Sequence, residues 1–121
     1  MIDHIVIGVG DLATSRTFYE QALAPLGYEV VLAFPASLGF GVGGKPDFWL
    51  RQSATPEPAH VAFATDRATV DAFHEAALAA GARDNGGPGV REIYHPNYYG
   101  AFVLDPDGHN IEAVCHLPPG V

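Results

Sequence analysis

Apolar and polar positions follow one order along this chain, and the order occurs twice. A short β-rich run carries His4 near its start, and Asp11 then opens a segment in which Phe18, Ala22 and Leu26 recur on one helical face. Gly27 follows the end of that segment. The order returns with His60 in a second β-rich run, then Asp66, a helical face of Val70, Phe73, Ala77 and Leu78, and Gly81. Thus DHIVIGVGDLATSRTFYEQALAPLG is echoed by AHVAFATDRATVDAFHEAALAAG, with His4 matching His60, Asp11 matching Asp66, Phe18 matching Phe73 and Gly27 matching Gly81. Each aspartate can accept hydrogen bonds from the free N–H groups of a first helical turn. Each glycine suits the left-handed backbone that ends a helix.

Strand-like runs follow each helix. In the first half they are Tyr28 to Phe34, Leu38 to Val42 and Asp47 to Gln52, and in the second Gly89 to Tyr94, Ala101 to Leu104 and Asn110 to His116. Ser53 to Pro58 links the halves, and Asp105-Pro106-Asp107-Gly108 marks a turn between two strands. Gly39, Gly41, Gly43 and Gly44 match neither nucleotide fingerprint and read as a hairpin and a turn leading into Lys45-Pro46. The plan is strand, helix and three strands, repeated: an α+β domain with its helices on one side of a curved sheet.

The chain has 121 residues, 48% of them hydrophobic and 17% charged, which fits one globular domain over residues 1–121. No apolar run approaches the roughly 20 residues of a membrane-spanning helix, and no signal peptide is expected. Fourteen acidic residues against six Lys and Arg give a net charge of −8, a surface that repels phosphate backbones. Nucleic acid and membrane are therefore not expected as partners. The one cysteine, Cys115, permits no internal disulfide and reads as an inert core thiol in a cytoplasmic protein.

His4 and His60 hold equivalent places, so their imidazoles can converge if the halves pack as pseudo-symmetric units. Glu112 lies in the last strand, where Ile111, Ala113 and Cys115 alternate to the opposite, apolar face. Ala62 and Ala64 share the face of His60 and are small enough to leave a cavity. Two imidazoles and one carboxylate on a rigid sheet suit a divalent ion with open positions, with Fe, Mn, Ni, Co and Zn all compatible. Against this stands an ordinary alternative, in which each His is structural and Glu112 is a solvated charge.

With these residues in view, the chain resembles the glyoxalase, bleomycin-resistance and extradiol-dioxygenase proteins, the vicinal oxygen chelate superfamily. HIVIGVGDLATSRTFYEQALAPLG, HVAFATD and GAFVLDPDGHNIEAV carry the resemblance, which covers nearly the whole chain. It implies paired βαβββ modules, here 1–53 and 59–116, forming a curved mixed sheet around a metal cleft. By position, His4, His60 and Glu112 fall on the metal ligands of the first, fifth and eighth strands. Glyoxalase I has a fourth, carboxylate ligand where this chain has Trp49. The remaining set looks more like the extradiol dioxygenases, whose motif histidine fits His95. Their tyrosine falls on Phe102, and Tyr94, Tyr98 or Tyr99 could substitute for it. The resemblance also implies a homodimer, and leaves open whether the metal site lies in one chain or across two.

Further candidates come from position alone. Trp49 and Arg51 share one strand face and could stack on a planar substrate and pair with an anionic one, with Phe102 a third substrate contact. The segment REIYHPNYYGAF could cover the cleft and supply proton carriers from His95, Tyr98 and Tyr99. His74 and His109 read as exposed, and His116 as frayed at the chain end. The leading expectation is a metal-dependent isomerase, lyase or ring-opening dioxygenase acting on a small oxygenated molecule. The alternative is a non-catalytic protein that sequesters a drug or metabolite, as in the bleomycin-resistance branch.

Overall fold

The computed structural model describes residues 1–121. In β1 (Ile5–Val9), Ile7 and Val9 are buried while Val6, of the opposite parity, is exposed, so the strand has one core face and one open face. Asp11 caps α1 (Leu12–Ala22) by accepting the Thr14 N–H at 3.2 Å. Asp66 caps α2 (Arg67–Ala79) by accepting the Thr69 N–H at 2.7 Å. The α-helical face expected to reach Leu26 stops at Ala22, and a 3-10 turn containing Pro25 (Ala24–Leu26) carries the chain to Gly27, whose φ is 82°. Gly81, at φ 100°, ends the second helical unit in the same left-handed way.

Three strands complete the first module, β2 (Glu29–Phe34), β3 (Ser37–Val42) and β4 (Lys45–Gln52). The second contains β5 (His60–Ala64), two short pieces β6 (Arg83–Asp84) and β7 (Gly89–Val90), then β8 (Tyr99–Leu104) and β9 (Asn110–Cys115). The first sheet has the order β1-β4-β3-β2 and the second β5-β9-β8-β6, with β7 also pairing with β8. β1–β4 and β5–β9 are parallel, and the other pairs are antiparallel. The fold is thus the α+β pairing of two βαβββ modules, with the strands divided between two mixed sheets, one per module.

Two boundaries differ from the sequence reading. The strand expected over residues 89 to 94 is only Gly89–Val90, and β6 was not expected; Gly86, Gly87 and Pro88 interrupt what is a single edge strand in the first module. Beyond it the chain folds into turns, with the Tyr94 N–H on the Arg91 carbonyl and the Tyr98 N–H on that of His95.

One core runs through both modules. Tyr19 of α1 meets Phe48 of β4 edge-on at 5.1 Å, and Phe48 meets Phe63 of β5 at 5.3 Å. Burying each such ring is worth about 1.5–3 kcal/mol. A polar junction lies beside it. Asp105 accepts the Tyr19 hydroxyl at 2.5 Å and the His109 N–H at 2.8 Å, and Asp107 accepts the Gly10 N–H at 2.9 Å. His109 is fully buried, which corrects its reading as exposed. Its Nδ1 accepts the Ala59 N–H at 3.0 Å and its Nε2–H donates to the Gly8 carbonyl at 2.7 Å. The reading failed because His109 shares the parity of Ile111, Ala113 and Cys115 and so continues the core face of β9. His74 is also less exposed than expected: its side chain retains 13% exposure and lies 3.0 Å from Asp84. Cys115 is buried, as expected.

Candidate functional site

The helices pack against one face of the strands, and the functional candidates other than Tyr99 lie away from it. On the second sheet, β8–β9 register sets Phe102 opposite Glu112, and β5–β9 register sets Ala62 beside it. Glu112 is 1% exposed. One of its carboxylate oxygens, Oε2, accepts the Tyr98 hydroxyl, and the other, Oε1, faces His60 Nε2 at 3.1 Å. Gly100 makes room for this arrangement: a Cβ there would sit 3.3 Å from the carboxylate and 3.2 Å from the Tyr98 ring. Burial, and then the neighbouring Glu112, push the Tyr98 phenol above its ordinary range, so it stays a proton donor at neutral pH. The Phe102 ring lies near-parallel to that of His60 at 6.3 Å.

The orientation of the His60 ring follows from its other nitrogen. Nδ1 lies 3.0 Å from the Asn110 carbonyl, which can only accept, so Nδ1 carries a proton and Nε2 is the nitrogen turned toward Glu112. At 3.1 Å from a buried carboxylate oxygen, Nε2 either donates a second ring proton to it as an ion pair or shares a cation with it, and an imidazole nitrogen beside a carboxylate is a donor set that suits a divalent ion.

The first sheet repeats the device. His4 Nδ1 donates to Asp3 Oδ1 at 2.7 Å, which turns Nε2 away from it. His4, Val6, Phe34, Ser37, Trp49 and Arg51 line a cavity of about 230 Å³. Trp49 and Arg51 share its face, as their spacing predicts.

The structure therefore brings together His60, Glu112 and Tyr98, with Phe102 beside them. It does not bring His4 to the same point within the chain, since His4, His60 and Glu112 do not form a cluster with ligand atoms within 4.8 Å of one another. His95 touches Tyr98 ring to ring at 5.5 Å but directs Nε2 to His116 Nδ1 at 2.8 Å, so His116 is paired rather than frayed. Tyr99 turns to the helix side, where its hydroxyl donates to Asp71 at 2.6 Å and Arg67 lies over its ring. Asp105, Asp107 and His109 do lie within 4.8 Å of one another. Both His109 nitrogens and both aspartates are already committed to the junction, so a cation there would have to displace those bonds.

Asp3, Phe34, Ser37 and Gly100 were missed in sequence. Strand pairing was the available signal for one of them: Ser37 faces Arg51 across β3 and β4 and so must share its side of the sheet.

The model of the Glyoxalase/Bleomycin resistance protein/Dioxygenase superfamily matches residues 1–113. The chain belongs to that superfamily. A glyoxalase/bleomycin resistance protein from Albidiferax ferrireducens superposes with a TM-score of 0.80 at 28% identity, covering 96% of this chain and 98% of its own. A family enzyme from Burkholderia phytofirmans gives 0.74 at 23% identity, covering 96% and 98%. A structure named lactoylglutathione lyase, from Agrobacterium tumefaciens, gives 0.72 at 20% identity, covering 95% and 92%, and shares the fold. No curated protein matches the chain in sequence. No helix is long and apolar enough to cross a membrane.

Proposed function

We propose that this superfamily member is a divalent-metal-dependent enzyme for a small oxygenated substrate, acting as an isomerase, lyase or ring-opening dioxygenase in the cytoplasm. The observation that carries the reading is His60 Nε2 held 3.1 Å from the buried Glu112 carboxylate. His60, Glu112 and His4 would hold the ion. When bound, it polarises substrate oxygens and leaves positions open for them. Glu112 is kept in place by Tyr98, whose raised phenol retains the proton that fixes the carboxylate's orientation. Tyr98 is also the best-placed proton donor on this face, with His95 packed against it. Phe102 walls the side of His60.

The two half-sites lie on separate sheets, each with an uncovered face. We therefore assign the complete set to a homodimer, with His4 of one chain joining His60 and Glu112 of its partner. His4→Ala, His60→Ala and Glu112→Ala each abolish stoichiometric binding of Mn(II) or Ni(II) by calorimetry, while Glu75→Ala on the exposed face of α2 binds as wild type. Mixing His4→Ala with Glu112→Ala after subunit exchange restores about a quarter of the sites, because half of the random dimers carry one intact set. No restoration rejects the shared site. Undiminished binding by any triad variant removes that residue from the ligand set. No metal binding by wild type, with retention of an aromatic ligand and no turnover, selects the sequestering branch.

A further inference from the structure

The cavity on the first sheet is graded from one end to the other. β1 and β4 run in parallel register, with Val6 beside Trp49 and Gly8 beside Arg51, while His4 lies one open-face position before Val6. Open-face positions along a strand are about 6.6 Å apart, so His4 and Arg51 bracket roughly 13 Å of sheet with Trp49 between them. The Trp49 indole lies flat over β3 because residue 39 is glycine; a Cβ there would come within 2.8 Å of the ring. Phe34 lies near-parallel to it, at 19° and 6.1 Å between centroids, and extends the aromatic floor.

Arg51 is the second feature. The chain has six Lys and Arg among fourteen acidic residues. Arg16 pairs with Glu20, Lys45 with Asp3, Arg91 with two carbonyls, and Arg67 lies over Tyr99. Arg51 has no such partner, and of the two cations left free it alone lines a cavity. The Ser37 hydroxyl, opposite it in register, has no hydrogen-bond partner in the chain either. A free guanidinium and a free hydroxyl at the end of an aromatic floor present donors matched to a planar monoanion.

We propose that this cavity binds a small planar carboxylate, aromatic or conjugated, with its plane on Trp49 and Phe34, its carboxylate on Arg51 and Ser37, and its other end toward His4. The inference deepens the metal-dependent reading by naming a substrate class, and it rests on that reading only for what happens at the His4 end. A single guanidinium with one hydroxyl favours a carboxylate over a phosphate dianion, which would leave charge unmatched.

Trp49 is the only tryptophan in the chain, so its fluorescence reports this cavity directly. Chelator-treated wild-type protein is titrated with benzoate, benzamide and cyclohexanecarboxylate. Benzoate produces a saturable change and binds about tenfold more tightly than either comparator, the loss expected when a charge-assisted bond or the stacking is removed. Arg51→Gln abolishes the preference for benzoate over benzamide, and Arg51→Lys retains part of it. Equal binding of benzoate and benzamide, an unchanged preference in Arg51→Gln, or no saturable change overturns the proposal. Arg51 is exposed, and circular dichroism verifies that its variants fold. Because the titration contains no metal, benzoate selectivity in a protein that binds no metal would reject the metal reading alone. Metal binding without that selectivity would reject this proposal alone.

Discussion

The two modules share a backbone plan and use their open faces differently. In the second, Glu112 is sunk into the sheet, Tyr98 and His60 hold it from two sides, and the acceptor that orients His60 is the Asn110 backbone carbonyl. In the first, His4 is oriented by an exposed aspartate, and the surrounding face is an aromatic floor with an unpaired cation. Both histidines turn Nδ1 to an acceptor within the chain and Nε2 away from it. One half therefore holds its carboxylate buried and fixed, while the other leaves its own exposed. A repeated strand-helix unit conserves the position of a side chain, while the neighbours of that side chain decide its rigidity.

The comparison can be broken most forcefully at the junction that joins the halves. Asp105→Ala removes the acceptor of the buried Tyr19 hydroxyl and of the His109 N–H. Orphaning buried donors costs about 1–3 kcal/mol each, so the variant should lose roughly 3–5 kcal/mol, or about 10–20 °C in melting temperature. Differential scanning calorimetry measures this. Below its melting point, the variant should keep full metal stoichiometry, because the junction is separate from the His60–Glu112 pair. A melting temperature unchanged by the mutation would show that the junction contributes little to stability, and a wild-type melting temperature lowered by chelator but not in Asp105→Ala would assign the cluster to a cation.

Alkaline pH attacks the same junction by a smaller and reversible route. Burial, and then the negative charge of Asp105, raise the Tyr19 phenol well above its ordinary value of 10.0. A group that holds its proton more tightly when folded stabilises fully below the unfolded value and loses that contribution as pH rises past it. Stability should therefore be insensitive to Tyr19 near neutrality and fall above about pH 10. Tyr28, raised to about 12 by burial and Asp47, acts in the same direction. Tyr19→Phe should flatten the alkaline decline in melting temperature without removing it. An equally steep decline in that variant would place its origin elsewhere.

Much of this architecture was legible in sequence because it is written in local chemistry. Asp11, Asp66, Gly27 and Gly81 mark helix ends through capping and left-handed backbone, which need only near neighbours. The alternation of Ile111, Glu112 and Ala113 set Glu112 off the apolar face, and it does meet His60 and Tyr98 there, although all three residues are buried. What escaped was tertiary. His109 bonds to Gly8 across 101 residues, and no local pattern reports a partner so distant. Tyr98 and Tyr99 are adjacent and of one type, yet they serve opposite faces, because only the register of β8 decides which of them meets Glu112. The separation of His4 from His60 and Glu112 belongs to the packing of two sheets, which equivalent places in a repeat do not specify.

The smallest predicted effect sharpens the contrast between the two histidines. Asp3→Ala removes the acceptor that orients His4 Nδ1, leaving the ring free to rotate and change tautomer. Buried partners of metal-bound histidines are worth about 10–100-fold in affinity. Here the side chains of His4 and Asp3 remain 51% and 70% exposed, and water can replace the lost acceptor. The expected loss in Mn(II) or Ni(II) affinity is therefore only about two- to fivefold. Asp3 also pairs with Lys45 at 3.2 Å, so a purely electrostatic origin must be separated from orientation. Lys45→Ala removes a positive charge near the site and should leave affinity unchanged or slightly raised. Asp3→Asn, whose amide oxygen still accepts from Nδ1, should recover much of the loss in Asp3→Ala. If Asp3→Asn binds as weakly as Asp3→Ala, and the deficit disappears at high salt, the carboxylate acts through its charge alone. If instead Asp3→Ala loses affinity a hundredfold, the exposed partner is as consequential as a buried one. The first module would then be as rigid as the second.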